Sequence, residues 1–498
     1  MSDGHVFAIR ADLTHLACDD IVVPTDRFLN ISDHWLEVLG GRRPQRDDLD
    51  VERDVWEKRR FARFTRVPDD GPRVWLVDTG GTGTEPVGWY TDALCNVLEA
   101  TAALGDAPRH RRERRLTAMP LVGVGQGWMK DNHGDVITGV LDLLDERAAD
   151  GQDTALVLWT ARDHAAVQHV RRLRNQMLPE ETQEATANSL ANRARRRELA
   201  LFLGAGVSAS AGLPLWGPLL ESLLSQAGVG AKETEAIAKL DARDAATLAV
   251  RRLGGTSKLP EALRAILTQH RYGLAHALLA ALPVDQTVTT NYDRLFETTR
   301  QDQGRPVAVL PFETPKQEWL LKVHGDLDHD DGIVLTREDY LRFGERSGAL
   351  AGVVQGMLMT KHVLFAGFSF TDENLFRMAH ATKQALESAG RPRSMGTALE
   401  LRGDQVKQSL WEGELDYLSM GGPDTATAAR KLEIFLDRVA QLSIDDESFL
   451  LDPAYDSLKS NFDLQVAGEL LALAERMEDV GMAHGRVDEL LRSLGWRN

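Results

Sequence analysis

The chain has 498 residues, with 58 Lys+Arg against 75 Asp+Glu and a formal net charge of −17. At roughly 100–200 residues per domain the length predicts two or three domains. Apolar residues at 43% exclude a disordered chain, and the acidic balance argues against a surface built to grip nucleic acid. The only cysteines, Cys18 and Cys95, exclude a disulfide scaffold and a four-thiolate zinc site.

The stretch from Met1 to Asp12 lacks a basic start followed by an apolar core. The longest apolar runs, such as Ala155–Trp159, are far short of the roughly 20 residues of a membrane span. With so few cysteines, the expectation is a cytoplasmic protein with no membrane segment.

The first block, residues 1–178, alternates apolar runs with helical stretches, which predicts an α/β domain. Phe7–Thr14 and Asp20–Asp26 read as two strands joined by a short turn. Val74–Val77, Met119–Val124 and Ala155–Trp159 read as buried strands, and Val136–Ala149 as a helix. The loop Gly123, Val124, Gly125, Gln126, Gly127, Trp128 follows a strand and precedes a helix, and reads as a diphosphate loop. Arg109–Arg115 is the densest basic run. It reads as a solvated loop, because no aromatics interleave with it. Arg171, Arg172 and Arg174 read as a solvated helix face.

Residues 179–197 form a polar linker, or an exposed helix leading into the next domain. The second block, 198–442, opens on the strand Leu199–Leu203, which runs into Gly204, Ala205, Gly206, Val207 and Ser208. Glycine there permits close approach of backbone to a phosphate. Three more apolar runs each end in polar residues. Thr289, Thr290, Asn291, Tyr292 and Asp293 follow Val288; His324, Gly325 and Asp326 follow Val323; Gly367, Phe368 and Ser369 follow Ala366. Carboxyl ends of strands are where open α/β sheets place ligands. Any one could be a satisfied loop, but four in one domain are hard to explain by packing. Residues 443–498 carry an amphipathic stripe (Leu464, Ala467, Leu470, Leu471, Ala474, Met477) and read as a helical packing or oligomerisation appendage.

In order and spacing these motifs resemble the sirtuin NAD-binding fold, over about Leu199 to Leu442. Acyl-lysine-removing sirtuins have Asp-Phe-Arg where this chain has Leu215, Trp216 and Gly217, and they carry a four-cysteine zinc module. The chain is closer to the sirtuin-like NAD hydrolases of bacterial antiphage defence, the Thoeris effector group among them. The phrase Gly367 to Asn374 fits that group. The resemblance implies a Rossmann-like parallel sheet and hydrolysis of NAD+ as substrate, with no metal. It implies that Asn291 holds the nicotinamide ribose and the attacking water. His324 would serve as base on a ribose hydroxyl or on water. Asp293 would bind the nicotinamide carboxamide or brace Asn291. Ser208 and the Gly204–Gly206 backbone, Ala205 included, would hold the diphosphate, with Thr290 beside them. Gly367 and Ser369 would contact the adenosine side, Asn374 is a further cofactor-binding residue, and Trp216 is placed to cover the nicotinamide pocket. His270 and His276 read as structural.

The first block resembles the macro domain at Ala11-Asp12-Leu13-Thr14 and, less closely, at Asp20–Asp26. This implies binding of an ADP-ribose-type ligand, with Asp12 on the adenine and Gly123, Gly125, Gln126 and Gly127 on the diphosphate. The joint expectation is an abortive-infection effector, an NAD+ hydrolase switched by a nucleotide at its first domain and assembled as a homo-oligomer. A deacylase or ADP-ribosyltransferase, and a non-catalytic nucleotide-binding module, are the competing readings.

Overall fold

The computed structural model describes residues 4–68, 71–80, 85–124, 129, 131–330, 332–390, 393–476 and 484–496. The chain folds into two compact units. One comprises Met1–Arg109, Glu113–Leu178 and Ile444–Asn498, and the other His110–Arg112 and Pro179–Ser443.

The first unit begins with β1 (His5–Arg10), β2 (Asp20–Thr25), α1 (Arg53–Arg59), β3 (Phe61–Phe64), β4 (Arg73–Asp78) and α2 (Val87–Ala102). It continues with β5 (Leu116–Pro120), α3 (His133–Ala149), β6 (Asp153–Leu158) and α4 (Ala161–Arg174). The sheet order is β1-β6-β5-β2-β4-β3. All pairs are parallel except β3 with β4. The two N-terminal strands are therefore not a turn-linked pair, because β6 and β5 lie between them. Their side chains are buried along most of their length, as in parallel strands covered on both faces, and strands that run the same way cannot be joined by a tight turn. The strand expected at Met119–Val124 starts earlier and stops at Pro120; Gly123, at φ +80°, already turns the chain.

In the second unit β7 (Leu199–Leu203), β8 (Gln286–Thr289), β9 (Ala308–Leu310), β10 (Trp319–Lys322), β11 (His362–Ala366), β12 (Gly396–Glu400) and β13 (Leu415–Ser419) form one sheet. Its order is β13-β12-β11-β7-β8-β10-β9, parallel throughout. The helices are α5 (Glu181–Arg195), α6 (Ala205–Ala209), α7 (Trp216–Gln226), α8 (Ala231–Ile237), α9 (Ala242–Leu253), α10 (Leu259–Leu267) and α11 (Leu274–Ala281). They continue as α12 (Leu295–Asp302), α13 (Arg337–Arg346), α14 (Gly348–Thr360), α15 (Glu373–Ser388), α16 (Gln405–Ser409) and α17 (Thr425–Ser443). Residues 179–197 are largely α5, whose Glu184, Ala187, Leu190 and Ala191 are buried. Arg438 of α17 grips Glu184 through Nη2 at 2.6 Å, so this segment is part of the second unit's core.

The C-terminal segment belongs to the first unit and ends in α18 (Asn461–Arg476) and α19 (His484–Ser493). Tyr455 there donates its hydroxyl to the buried Asp163 at 2.7 Å. The arginines read as a solvated face of α4 are packed instead: Arg171 is buried and donates to the Val6 carbonyl at 3.1 Å, and Arg172 donates to the Ile444 carbonyl at 2.6 Å. In the basic run, Arg112 pairs with the buried Glu433 at 2.8 Å and Arg115 with the buried Asp20. Among the described residues, no helix is long and apolar enough to cross a membrane.

Candidate functional site

Four neighbouring strands, β11-β7-β8-β10, end in the four polar motifs. Because the strands are parallel, those ends share one edge of the sheet. The chain leaves β7 toward β8 on one side and returns to β11 on the other. This is a switch point, where such sheets bind ligands.

The glycines bring two of these loops together. A Cβ on Gly204 would lie 2.5 Å from the Gly367 carbonyl oxygen, and one on Gly206 would lie 2.7 Å from Gly367 Cα. Gly367 has φ +65°, and its own Cβ would meet Val207 N at 2.3 Å. The Gly206 N–H donates to the Gly367 carbonyl at 2.9 Å. These glycines thus serve a backbone crossing, and the Gly206 amide is spent on it. Gly367→Ala adds left-handed strain to a direct clash. It is expected to cost at least about 2 kcal/mol, read as a lowered denaturant midpoint.

Asn291 follows β8 and is half-buried. Its Nδ2 donates to the Gly204 carbonyl at 3.2 Å and to Ser208 Oγ at 3.1 Å. Ser208, buried in α6, donates to Asp293 Oδ2 at 2.8 Å. Asp293 Oδ1 accepts the Leu295 N–H at 3.1 Å, which starts α12. Asp293 is therefore joined to Asn291 through Ser208. His276, read from the sequence as structural, lies in the same network, with Nε2 3.3 Å from Ser208 Oγ.

His324 is 4% exposed at the end of β10. Its Nε2 lies 3.2 Å from Asp372 Oδ2, and the same oxygen accepts the Tyr340 hydroxyl at 3.0 Å. Asp372 also caps α15, accepting the Leu375 N–H at 2.9 Å. Burial alone would push its carboxyl up, but the His324 imidazole and these donors bring it down to about 2. The Asp372 and Tyr340 contacts were missed in the sequence. Asp372 lies within the recognised phrase after β11, yet nothing in that phrase points to His324.

Beneath both loops lies Lys322. Its Nζ donates to the Asp293 carbonyl at 2.7 Å and the Tyr292 carbonyl at 3.3 Å. It also pairs with Glu297 at 2.7 Å and Asp326 at 2.5 Å. Burial would lower its pKa, but the two carboxylates hold it above the usual lysine value.

Three of the residues expected to touch ligand carry buried polar atoms with no hydrogen-bond partner among the described residues: Trp216 Nε1, Asn291 Oδ1, and both Nδ2 and Oδ1 of Asn374. Asn374 is 2% exposed, on the first turn of α15. Thr290 donates its N–H to the Leu203 carbonyl at 3.2 Å, Ser369 is exposed with its hydroxyl 2.8 Å from that of Thr371, and Ala205 opens α6.

In the first unit, Asp12 is buried at the end of β1. Its Oδ1 takes the Thr14 N–H at 2.9 Å, the Thr14 hydroxyl at 2.7 Å and His34 Nε2 at 3.2 Å. It caps a turn and pairs with His34. A Cβ on Gly123 would lie 3.3 Å from the Tyr90 ring. Gly125, Gln126 and Gly127 lie outside the described residues.

Burial holds two second-unit histidines, His276 and His362, at a pKa of about 4. Unfolded, both would protonate near pH ~6.5. The folded state thus binds fewer protons between the two values, and acid favours unfolding there. Their contribution is whole above pH ~6.5 and declines as pH falls toward about 4. Each is expected to forfeit about 2 kcal/mol by pH ~5. Melting curves from pH ~7 to ~5 should show the decline, and His362→Gln should flatten it by about one proton.

Residues 285–415 match the model of the SIR2-like domain. The chain is 32% identical over 206 residues to the NAD(+) hydrolase ThsA of Enterococcus faecium, covering 39% of this chain and 41% of that one. It is 29% identical over 201 residues to the enzyme of the same name from Bacillus cereus, covering 38% and 40%. A Defense-associated sirtuin 2 from Bacillus subtilis is 27% identical over 108 residues, 20% of this chain and 11% of that one. The chain spans about two fifths of the length of the ThsA relatives it matches. Among solved structures, a mutant macrodomain from Oceanobacillus iheyensis covers 35% of this chain and 94% of its own, at 11% identity and a TM-score of 0.24.

Proposed function

We propose that this chain, which contains a SIR2-like domain, hydrolyses NAD+ to nicotinamide and ADP-ribose. The observation that carries the reading is the set of unpartnered polar atoms on Trp216, Asn291 and Asn374. Asn291 comes just after β8 and Asn374 opens α15 after β11, two strands that flank β7 at a switch-point edge, while Trp216 opens α7 on the chain between β7 and β8. The relatives named as NAD(+) hydrolases support the same chemistry.

Cleavage of the nicotinamide–ribose bond passes through an oxocarbenium-like transition state, related to that of glycoside hydrolysis. The leaving group is neutral, so orientation and a base matter more than a strong acid. Asn291 Oδ1 offers an acceptor to a ribose hydroxyl or to water. His324 takes the proton given up by that hydroxyl or water, and the Asp372 carboxylate at 3.2 Å offsets the charge the ring gains. Tyr340 and Phe343 pack edge-on against that ring at centroid distances of 5.7 and 6.4 Å, and keep it in place.

The first unit is proposed as the sensor of an ADP-ribose-type nucleotide. Uncontrolled NAD+ loss would harm the host, and a ligand can switch an enzyme only by favouring one state. A role in antiphage defence extends the reading, and the Bacillus subtilis relative's name, Defense-associated sirtuin 2, supports the defence part of it. Because Asp12 holds Thr14 and His34, Asp12→Ala perturbs the fold of this unit, and direct nucleotide binding is the cleaner sensor assay.

The test of the reaction is product analysis with NAD+, alone, with ADP-ribose-type nucleotides, and with an acetyl-lysine peptide. Equal nicotinamide and ADP-ribose without peptide support hydrolysis. Release that requires the peptide would make the chain a deacylase.

A further inference from the structure

We propose that His276 is a positioning residue for this reaction, acting through Ser208 to fix which way the Asn291 carboxamide faces. The chemistry rests on the NAD+-hydrolase reading; the orientation rests on hydrogen-bond geometry.

His276 is 1% exposed, in the first turn of α11. Its Nδ1 lies 3.2 Å from the Gly273 N–H. A backbone N–H only donates, so Nδ1 accepts, and the neutral ring carries its proton on Nε2. That Nε2–H faces Ser208 Oγ at 3.3 Å and donates to it. Ser208 has one proton to give, and Asp293 Oδ2 at 2.8 Å takes it. The other lone pair of Ser208 accepts from Asn291 Nδ2 at 3.1 Å. The second Nδ2 proton goes to the Gly204 carbonyl at 3.2 Å.

Every donor in this network has one direction available. Ser208 receives two hydrogen bonds and gives one, so its hydroxyl cannot turn toward Asn291. The amino group of Asn291 is held inward by two acceptors. Its Oδ1, buried and unpartnered, is the atom left for a ligand. The site therefore presents a fixed acceptor, and the group that meets it must be a donor: a ribose hydroxyl or the attacking water. With a proton on Nδ1 instead, Nε2 would compete with Asp293 for the Ser208 proton, and the order would be lost.

The experiment compares His276→Leu, which cannot donate, with His276→Gln, whose amide can reach Ser208, each alone and with Ser208→Ala. The leucine variant is expected to lower kcat about tenfold, the worth of one buried hydrogen bond, with KM changed less than about twofold. Glutamine is expected to restore most of that loss. Leucine should add little once Ser208 is alanine. Equal losses for leucine and glutamine, or a full tenfold loss on the Ser208→Ala background, would overturn the inference in favour of a packing role. A second readout needs no activity: nitrogen-15 spectra of histidine-labelled protein, with His276→Gln identifying the signal. The expected form is the neutral Nε2–H tautomer, and an Nδ1–H tautomer would overturn the proposal. If the wild-type protein shows the Nε2–H tautomer and releases no nicotinamide under any condition, the hydrolase reading fails while the orientation stands.

Discussion

Asn291→Ala is expected to lower nicotinamide release from NAD+ about a thousandfold or more, while the protein stays folded. Asn291 supplies orientation at the reacting centre, where misplacement by about 1 Å can cost a hundredfold. The structural loss is smaller. The side chain is half-buried, and its two hydrogen bonds, to Gly204 and Ser208, are worth about 1 kcal/mol each. His324→Ala is expected to have a comparable effect on turnover, within the roughly 10²–10⁴ attributed to a general base. It differs in stability, because it strips the imidazole from the buried Asp372 carboxylate. His324→Gln, which keeps a donor near Asp372, is the better-matched variant. Steady-state rates beside melting curves check both. A collapse of melting in Asn291→Ala would mean that this residue belongs to the core.

The second large effect is on stability. Lys322→Met is expected to cost about 3–5 kcal/mol, because it leaves Glu297 and Asp326 buried without their cation. In a unit of this size that is a fall in Tm of about 10 °C. Lys322 also joins the loop bearing Asn291 to the loop bearing His324, through the Tyr292 and Asp293 carbonyls on one side and Asp326 on the other. The variant should therefore lose turnover even well below its Tm. Calorimetry and rates at low temperature separate the two losses. An unchanged Tm would show that the cluster contributes little.

Two of the four motif loops were legible because β7 and β11 are buried on every residue, so Leu199–Leu203 and Val363–Ala366 read as apolar runs ending in polar residues. β9, β12 and β13 were not seen. Ala308–Leu310 is three residues long, and Leu415–Ser419 alternates buried and exposed positions without a strong period. The lysine in Trp-Leu-Leu-Lys looks like the polar end of a strand; only the fold brings Glu297 to it. Asp372, Tyr340 and His276 act across loops distant in sequence, and no local spacing reveals such pairs. Gly204 and Gly206 were read as leaving room for a phosphate. The structure uses that room for the Gly367 backbone, a requirement no single motif displays. Asp12 was legible as a carboxylate at a strand end. Its commitment to Thr14 and His34 depends on a loop that folds back from residue 34.

The most direct test of the central claim, that the edge after β7, β8, β10 and β11 is an NAD+-cleaving site, is nicotinamide release by wild type and Asn291→Ala at matched protein concentration. Each is assayed with and without ADP-ribose-type nucleotides. The account predicts release by wild type in at least one of these conditions and about a thousandfold less by the variant. No release by wild type in any of them, or equal release by both proteins, would contradict it.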